Sequence, residues 1–358
     1  MALGFVFALS KEHTWMLFIL SGLLMFASPF FTSGRAAILP VIATPGELHT
    51  ANSLTQTTQW TTTAIGGLLA GVAVQKVGYD WAFVLNSLSF VFSALCIMRL
   101  RAPAGTFQTR RAAAHKKSAP GWSDYREGLK YMGSMPLVLA IAMIHVGWAT
   151  GGGAAQILFG LFGENVYHLG SFGIGTIWGC AGVGLVIGGL FAHRLGPRLS
   201  FQGYKRTIAI SYLIHGGAYI IFSQVTNFYM ALVFIAISRA AVAVSSVLNM
   251  TQLLTHVVDE YRGRVFATME TITWAVMMLS MTVTGFVSDS HSPRVIGFWA
   301  GILSSMTAFY WMWATMARGL TEPPRVPADT SSEQAPPDEP AMTPRFAGGT
   351  ELATDEHR

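Results

Sequence analysis

The chain has 358 residues, of which 52% are hydrophobic and only 11% are charged. In soluble domains roughly a quarter of the residues are charged, so this composition excludes an ordinary soluble fold. The formal net charge of +5 does not indicate a nucleic-acid-binding protein, because the basic residues fall in short loops between apolar segments. Cys96 and Cys180 both lie in apolar runs and show no metal-binding spacing.

Apolar runs recur along the chain at lengths that fit a membrane. A helical span needs about 20 mostly apolar residues, so residues 1–9 are too few to cross and form a partial helix at most. We predict an all-α, polytopic membrane protein. About nine full spans are expected, near residues 14–34, 51–75, 81–98, 136–163, 171–192, 207–223, 228–252, 265–288 and 295–317.

Short breaks between spans predict turns. Only Lys76 to Asp80 separates the second span from the third, which predicts a tight helical hairpin. The polar stretch Gln224–Asn227 divides a long apolar region into two spans. Pairs of glycines four residues apart predict close helix crossings, and they occur at Gly67 and Gly71, at Gly175 and Gly179, and at Gly184 and Gly188.

A strongly basic loop divides the chain. Residues 99–130 hold eight Lys and Arg, and cytoplasmic loops are enriched in both. Sixteen Lys and Arg fall on the predicted cytoplasmic side and three on the other. We therefore predict an incomplete N-terminal half at 1–98, a cytoplasmic connector at 99–135, a six-helix C-terminal half at 136–318, and a disordered cytoplasmic tail at 319–358.

Ionisable side chains inside a span are costly and are functional candidates. Glu270 is the only carboxylate within any span. It is a candidate for proton coupling or cation binding, although it could instead reach water or pair with Arg262 or Arg264. Arg239 falls near mid-depth of its span. It could bind an anionic substrate, pair with Glu270, or form an interhelical pair with no transport role.

Two further side chains are candidates for the substrate cavity or for coupling. His145 can titrate near physiological pH, or it can remain neutral and hydrogen-bonded between helices. Gln59 lies among threonines in an unusually polar span, where hydrogen bonding between helices is the other explanation. The Gly151–Gly153 run weakens a helix and predicts a break or bend of the kind found at transporter binding sites.

Three stretches of the sequence resemble the major facilitator superfamily, and in particular its drug- and siderophore-exporting branch. The first is GRAAILP at 34–40, followed by Glu47. The second is DYREGLK at 124–130, and the third is DEYRGR at 259–264. The resemblance implies two six-helix halves around a central substrate cavity. It places His145 and Arg239 on cavity-lining helices, but His215 on a peripheral one.

A weaker resemblance concerns the gating signature of the same family. Gly189, Arg194, Gly196 and Arg198 match the second-half copy of this signature, whereas a histidine at 193 replaces its acid. The resemblance implies a set of gating-loop candidates on the cytoplasmic side: Arg35, Glu47, Gly189, Arg194, Gly196, Arg198, Arg262, Gly263 and Arg264.

The resemblance also implies that the first two helices of the family are absent and that residues 1–9 end the third. We expect the genomic sequence upstream of Met1 to encode two more apolar spans in frame. A stop codon immediately upstream would exclude a late start. The alternative is a truncated membrane scaffold or interaction protein that inserts but does not transport.

The expected function is a proton-coupled efflux antiporter in the plasma membrane, with alternating access of its two halves. The expected partners are a small amphiphilic substrate, protons and the lipid bilayer. We expect no ATPase subunit, cofactor or metal. An enzyme is disfavoured, because the sequence has no metalloprotease or phosphate-binding motif and no pair of carboxylates within its spans.

Overall fold

The computed structural model describes residues 48–99, 121–316 and 319–324, together with positions 15, 16, 19, 20 and 23. The long elements in this part of the chain are all helices. They are α1 (Leu48–Met98), α2 (Gly121–Ser134), α3 (Pro136–Leu161), α4 (Gly170–Leu195), α5 (Phe201–Gln224), α6 (Phe228–His256), α7 (Asp259–Ser288) and α8 (Pro293–Met316).

Six of the described helices are long and apolar enough to cross a membrane, which confirms a polytopic all-α protein. These are α1, α3, α4, α6, α7 and α8. The helix α5 has 24 residues and is long enough, but it is less apolar. The predicted span at 14–34 and the basic loop at 101–120 lie outside the described residues, apart from a few isolated positions.

Local sequence signals fix where several helices begin. Pro136 is the first residue of α3, a position where its missing N–H costs nothing. The Ser200 hydroxyl accepts a hydrogen bond from the Gly203 N–H at 3.1 Å and caps α5. The Asn227 side chain caps α6 in the same way, with the Met230 N–H 3.1 Å away. The predicted break at Gln224–Asn227 is therefore confirmed.

The helix α1 contains one non-helical residue, Gly78, with φ 84° and ψ 171°. Glycine adopts positive φ with little steric cost. The residue divides α1 into segments 48–77 and 79–98, and it falls inside the stretch from Lys76 to Asp80 where the sequence predicts a turn.

The glycine pairs of α1 and α4 pack against each other. A Cβ atom added to Gly71 would lie 2.9 Å from the Gly175 Cα atom. A Cβ atom on Gly67 would lie 3.3 Å from the Gly179 nitrogen. These contacts leave no room for a side chain, so the predicted close crossing is confirmed. Because Tyr79 bonds Ser171 at the far end, the two helices run antiparallel.

The ends of the bundle differ in charge. The helices α3 and α7 begin, and α4 and α6 end, at one end of the bundle. That end, called the basic end below, carries Arg194, Arg198, Lys205, Arg262 and Arg264. The opposite end carries the turn between α5 and α6 and the turn between α7 and α8.

Two buried cores fill the six helices that follow α2. The core nearer the basic end includes Leu137, Ile141, Tyr204, Val257 and Trp311. The core nearer the opposite end includes Phe159, Phe162, Ile177, Phe222 and Ile235.

The first residues of the segment predicted to be disordered pack against the basic end. Leu320 is buried, and its carbonyl accepts a hydrogen bond from the Lys205 ammonium at 3.0 Å. The Pro324 carbonyl lies 3.3 Å from Nδ1 of His256. One apolar side chain and two polar contacts therefore hold residues 319–324 on the helices.

Candidate functional site

Arg239 is buried in the middle of the second half, with 7% of its surface exposed. It is the twelfth residue of α6, roughly 16 Å along the helix axis from Phe228. Its guanidinium carbon lies 5.1 Å from the centre of the Phe159 ring on α3. Its Nη2 atom is buried and has no hydrogen-bond partner.

Two side chains of α5 face Arg239. His215 and Tyr219 are 3% and 2% exposed, and their ring centres are 6.4 Å apart. Electrostatic interactions link Arg239 to both of them. The Nε2 atom of His215 and the hydroxyl of Tyr219 are buried without hydrogen-bond partners. Arg239, His215 and Tyr219 are called the Arg239 cluster below.

The neighbouring Ser238 fixes the orientation of His215. Nδ1 of the histidine lies 2.7 Å from the Ser238 hydroxyl, and that hydroxyl donates to the His215 carbonyl at 3.1 Å. The sequence alone gave His215 a peripheral place and did not single out Tyr219. The signal that was available is their spacing of four residues, which puts both on one face of α5.

Glu270 is exposed on α7 and does not join the Arg239 cluster. Its carboxylate accepts a hydrogen bond from Nε1 of Trp274 at 3.1 Å. The suggested pairing with Arg239, Arg262 or Arg264 is not what the structure shows. Arg262 donates to backbone carbonyls at 2.6 and 3.0 Å, and Arg264 pairs with a different acid.

His145 lies on α3, the helix packed against α7. Its Nδ1 atom donates to the Ile141 carbonyl at 2.8 Å, because a carbonyl oxygen can only accept. The charge of Glu270 acts on its imidazole. Two candidates that the sequence treated separately therefore lie on one pair of packed helices. Within the described part of the chain, no three His, Cys, Asp or Glu side chains are placed to hold a metal ion.

An apolar cavity of about 420 Å³ lies between α3, α7 and α8. Most of its lining is aliphatic or aromatic, and Trp299, Leu279 and Val283 are among the larger side chains. The lining also includes four polar side chains, which are Thr150, Ser280, Thr284 and His291.

The cavity begins just beyond the positions of His145 on α3 and Glu270 on α7. Thr150 lies five residues after His145 on α3, and Val276 lies six residues after Glu270 on α7. These spacings correspond to roughly 7–9 Å along the helix axes, toward the opposite end. His145 and Glu270 therefore lie between one and two turns from the apolar cavity, on two of its three helices.

The predicted break at Gly151–Gly153 is wrong, because α3 continues through it to Leu161. Packing gives the glycines a different role. A Cβ atom on Gly151 would lie 2.8 Å from the Ala300 carbonyl of α8. One on Gly153 would lie 2.6 Å from the Ser280 Cβ atom of α7. Gly151 and Gly153 let α8 and α7 approach α3 beside the cavity.

Gln59 lies apart from the other three candidates. Its side chain is exposed on α1, and α1 packs on α4. The adjacent Trp60 covers Gly189, where an added Cβ atom would lie 3.1 Å from the Trp60 Cε3 atom. Gly189, one of the gating candidates, is therefore a packing position against this indole ring.

The other gating candidates lie at the basic end. Arg264 pairs with Glu127 of α2 at 3.0 Å. Tyr131 and Tyr261 stack beside this pair, with ring centres 4.5 Å apart. The structure thus brings together the stretches 124–130 and 259–264, although Glu127 and Arg264 are 137 positions apart along the chain.

The remaining gating candidates are exposed, begin a turn, or lie outside the described residues. Arg194, Arg198 and Gly263 are exposed, and Gly196 begins a short 3₁₀ turn. Arg35 and Glu47 lie outside the described residues.

Hydrogen bonds join neighbouring segments at the opposite end of the bundle. The Tyr167 hydroxyl donates to the Val225 carbonyl at 3.0 Å. Arg294 donates to the same carbonyl at 2.9 Å and to the Gln224 carbonyl at 2.7 Å. Burial raises the pKa of Tyr167, and the charge of Arg294 acts in the other direction.

Residues 1–273 match the sequence model of the Major Facilitator Superfamily. A curated relative is the uncharacterized MFS-type transporter YfmI of Bacillus subtilis (strain 168). It is 23% identical over 309 residues, which cover 84% of this chain and 73% of the relative.

Two solved structures have a similar fold. Both are inward-facing crystal structures of a bacterial homolog of the human lysosomal transporter Spinster. The unoccupied form has a TM-score of 0.62 at 14% identity and covers 90% of this chain and 82% of that chain. The occupied form has a TM-score of 0.64 at 13% identity, with 91% and 82% covered. At these identities the similarity shows the fold alone.

Proposed function

We propose a function for this chain from one premise, which is that it belongs to the major facilitator superfamily. The chain is a multi-pass membrane protein of a transporter family, and family membership supports membrane transport over an enzyme activity. The specific proposal is a secondary active exporter of small amphiphilic molecules, driven by proton exchange. Its two halves would rock about the substrate in alternating access.

The observation that carries the proposal is the apolar cavity between α3, α7 and α8. Sites for small molecules are typically about 300–1,000 Å³, mostly apolar, with a few polar groups that orient the ligand. The cavity of about 420 Å³ fits that description. An amphiphile would place its apolar part against Trp299 and Leu279, and its polar part near Thr150, Ser280 or His291.

Proton coupling is assigned to Glu270 and His145. A carboxylate and an imidazole both exchange protons, and each is costly within a span unless it serves a function. They lie on two of the three helices that line the cavity, His145 on α3 and Glu270 on α7. A proton on Glu270 would remove the charge that acts on His145, so protonation could change the contact between α3 and α7 next to the substrate.

The proposed orientation puts the basic end in the cytoplasm, because positive residues are enriched there. The connector at 99–135 and the C-terminus would then be cytoplasmic, and the plasma membrane is the proposed location. The gating candidates at this end would control access from the cytoplasm. Gln59 on α1 would contact substrate from the first half.

Export is tested in bacterial cells that lack their own efflux pumps. The chain is expressed, and accumulation of a fluorescent cationic or neutral amphiphile is measured with and without a proton uncoupler. The proposal expects lower accumulation in cells with the chain, and loss of this difference when the uncoupler is added. Glu164→Gln, which changes an exposed acid away from the cavity, is the control for the Glu270→Gln variant discussed below.

Membrane insertion is measured in the same cells by fractionation. Normal insertion without any efflux would reject the exporter and favour a membrane protein that does not transport. Efflux that is insensitive to the uncoupler would reject proton coupling but keep transport.

A further inference from the structure

We propose that the Arg239 cluster binds an anion, either a carboxylate group or chloride. The site lies inside the second half of the protein, between α3, α5 and α6. It is distinct from the apolar cavity, because none of its three residues lines that cavity. The proposal is separate from the exporter proposal, and binding is measured without transport.

The first argument is charge. A guanidinium stays protonated in proteins, and placing it near the bilayer centre is costly unless an opposite charge accompanies it. None of the ion pairs among the described residues includes Arg239. The Phe159 ring face compensates part of the charge through a cation–π contact. A full negative charge is what the cluster lacks.

The second argument is hydrogen bonding. Buried polar atoms are almost always hydrogen-bonded, and each exception calls for an explanation. Nη2 of Arg239, Nε2 of His215 and the hydroxyl of Tyr219 are three such exceptions on two adjacent helices. A single water molecule would satisfy these atoms, but it would leave the charge of Arg239 uncompensated.

The hydrogen-bond roles of the three atoms specify the ligand. Nη2 of Arg239 can only donate. Nδ1 of His215 donates to the Ser238 carbonyl at 3.3 Å, so the neutral ring offers a lone pair at Nε2. An anion would accept hydrogen bonds from Arg239 and Tyr219, and a proton taken up on Nε2 at lower pH would add a third donor. A carboxylate or chloride therefore supplies the negative charge that the guanidinium lacks.

The groups that surround His215 decide how readily its Nε2 atom takes up a proton. The titratable groups that face the imidazole in the described structure are Tyr212 and Tyr219 on its own helix and Arg239 on α6. The helix α8, packed on the other side of α5, presents Gly301 and Ser305 beside Gly216. Because none of these is an acid, the bound anion itself favours a proton on Nε2, and binding should tighten as pH falls.

The test uses the purified full chain in lipid nanodiscs. Sodium acetate or sodium chloride is titrated at constant ionic strength, with a bulky sulfonate as the balancing salt. A ligand that binds only the folded state raises the midpoint of thermal unfolding. The proposal expects a saturable rise with acetate, chloride or both, and tighter binding at mildly acidic than at mildly alkaline pH. Acetate alone identifies a carboxylate site, whereas chloride identifies a small-anion site.

Arg239→Gln should weaken anion affinity by about 10- to 100-fold, which is what loss of a charge-assisted hydrogen bond gives. Arg206→Gln, at an exposed arginine of α5, should leave it unchanged. Tyr219→Phe and His215→Gln keep the charge of Arg239 and should weaken anion affinity less. His215→Gln should also lose the pH dependence of binding. No saturable rise in the wild type overturns the proposal. Anion affinity in Arg239→Gln equal to that of the wild type also overturns it. If Arg239→Gln does not fold, wild-type affinity in both Tyr219→Phe and His215→Gln overturns it.

Discussion

Arg264 and Glu127 form an ion pair of 3.0 Å that joins α7 to α2. The guanidinium of Arg264 also lies over the Tyr261 ring, 5.5 Å from its centre, and that ring stacks on Tyr131 of α2. The helix α2 falls in the predicted connector, and α7 carries Glu270. The contact therefore links the connector between the halves to the helix proposed to move the proton.

This ion pair should matter for transport more than for stability. The side chains of Arg264 and Glu127 are 31% and 55% exposed, and exposed pairs contribute about 0–1 kcal/mol. We expect Glu127→Arg or Arg264→Glu alone to reduce efflux, with the unfolding free energy changed by about 1 kcal/mol or less. The double exchange should recover part of the efflux. A double variant as impaired as the worse single one would show that the pairing itself is unimportant.

Glu270→Gln should abolish uncoupler-sensitive efflux while keeping exchange of substrate across the membrane. The amide cannot release a proton, whereas the cavity about two turns away is unchanged. The measurement compares proton-driven efflux with substrate counterflow in reconstituted vesicles. Proton-driven efflux retained in Glu270→Gln would remove this residue from the coupling mechanism.

Val283→Trp should block amphiphile binding. Val283 lines the cavity and is 52% exposed, so an indole ring fits there and occupies the space of the ligand. Thr282→Trp is the matched control, because the neighbouring Thr282 is exposed and is not part of the lining. We expect stability changes within about 0.5 kcal/mol for both, as is usual for surface positions. Binding is measured by fluorescence titration, and equal affinity in both variants would contradict the assigned cavity.

Gly153→Ala should destabilise the protein, whereas Gly160→Ala on the same helix should not. A Cβ atom on Gly153 would meet α7 at 2.6 Å, and one on Gly160 would meet nothing within 4 Å. Overpacking costs about 1–3 kcal/mol, while Ala in place of Gly in a helix gains roughly 0.5–1 kcal/mol. Thermal unfolding of the two variants measures the difference, and similar midpoints would contradict the close approach of α3 and α7.

Tyr167 should make stability fall at alkaline pH. Its pKa is raised in the folded state, so the unfolded phenol ionises first, near pH 10. The contribution is therefore fully present below that pH and is lost as pH rises through the folded pKa. Tyr167→Phe should show a shallower alkaline decline, although loss of the bond to Val225 costs about 1 kcal/mol at neutral pH. An unchanged slope of unfolding midpoint against pH would contradict this.

The sequence by itself determined the membrane class, most helix boundaries and the glycine crossings. These depend on runs of neighbouring residues, such as the turn at Gln224–Asn227 and the paired glycines of α1 and α4. The same local reasoning failed at Gly151–Gly153, because low helix propensity was outweighed by close packing and by the need to satisfy every backbone group inside a membrane.

Only the tertiary structure decided which candidates meet. His215 and Arg239 lie on different helices, as do His145 and Glu270, and Glu127 and Arg264 are distant in sequence. Which of them lie near each other depends on the rotation of each helix about its axis and on the pairing of helices. Both are set by the packing of the whole bundle, which no single stretch of sequence encodes.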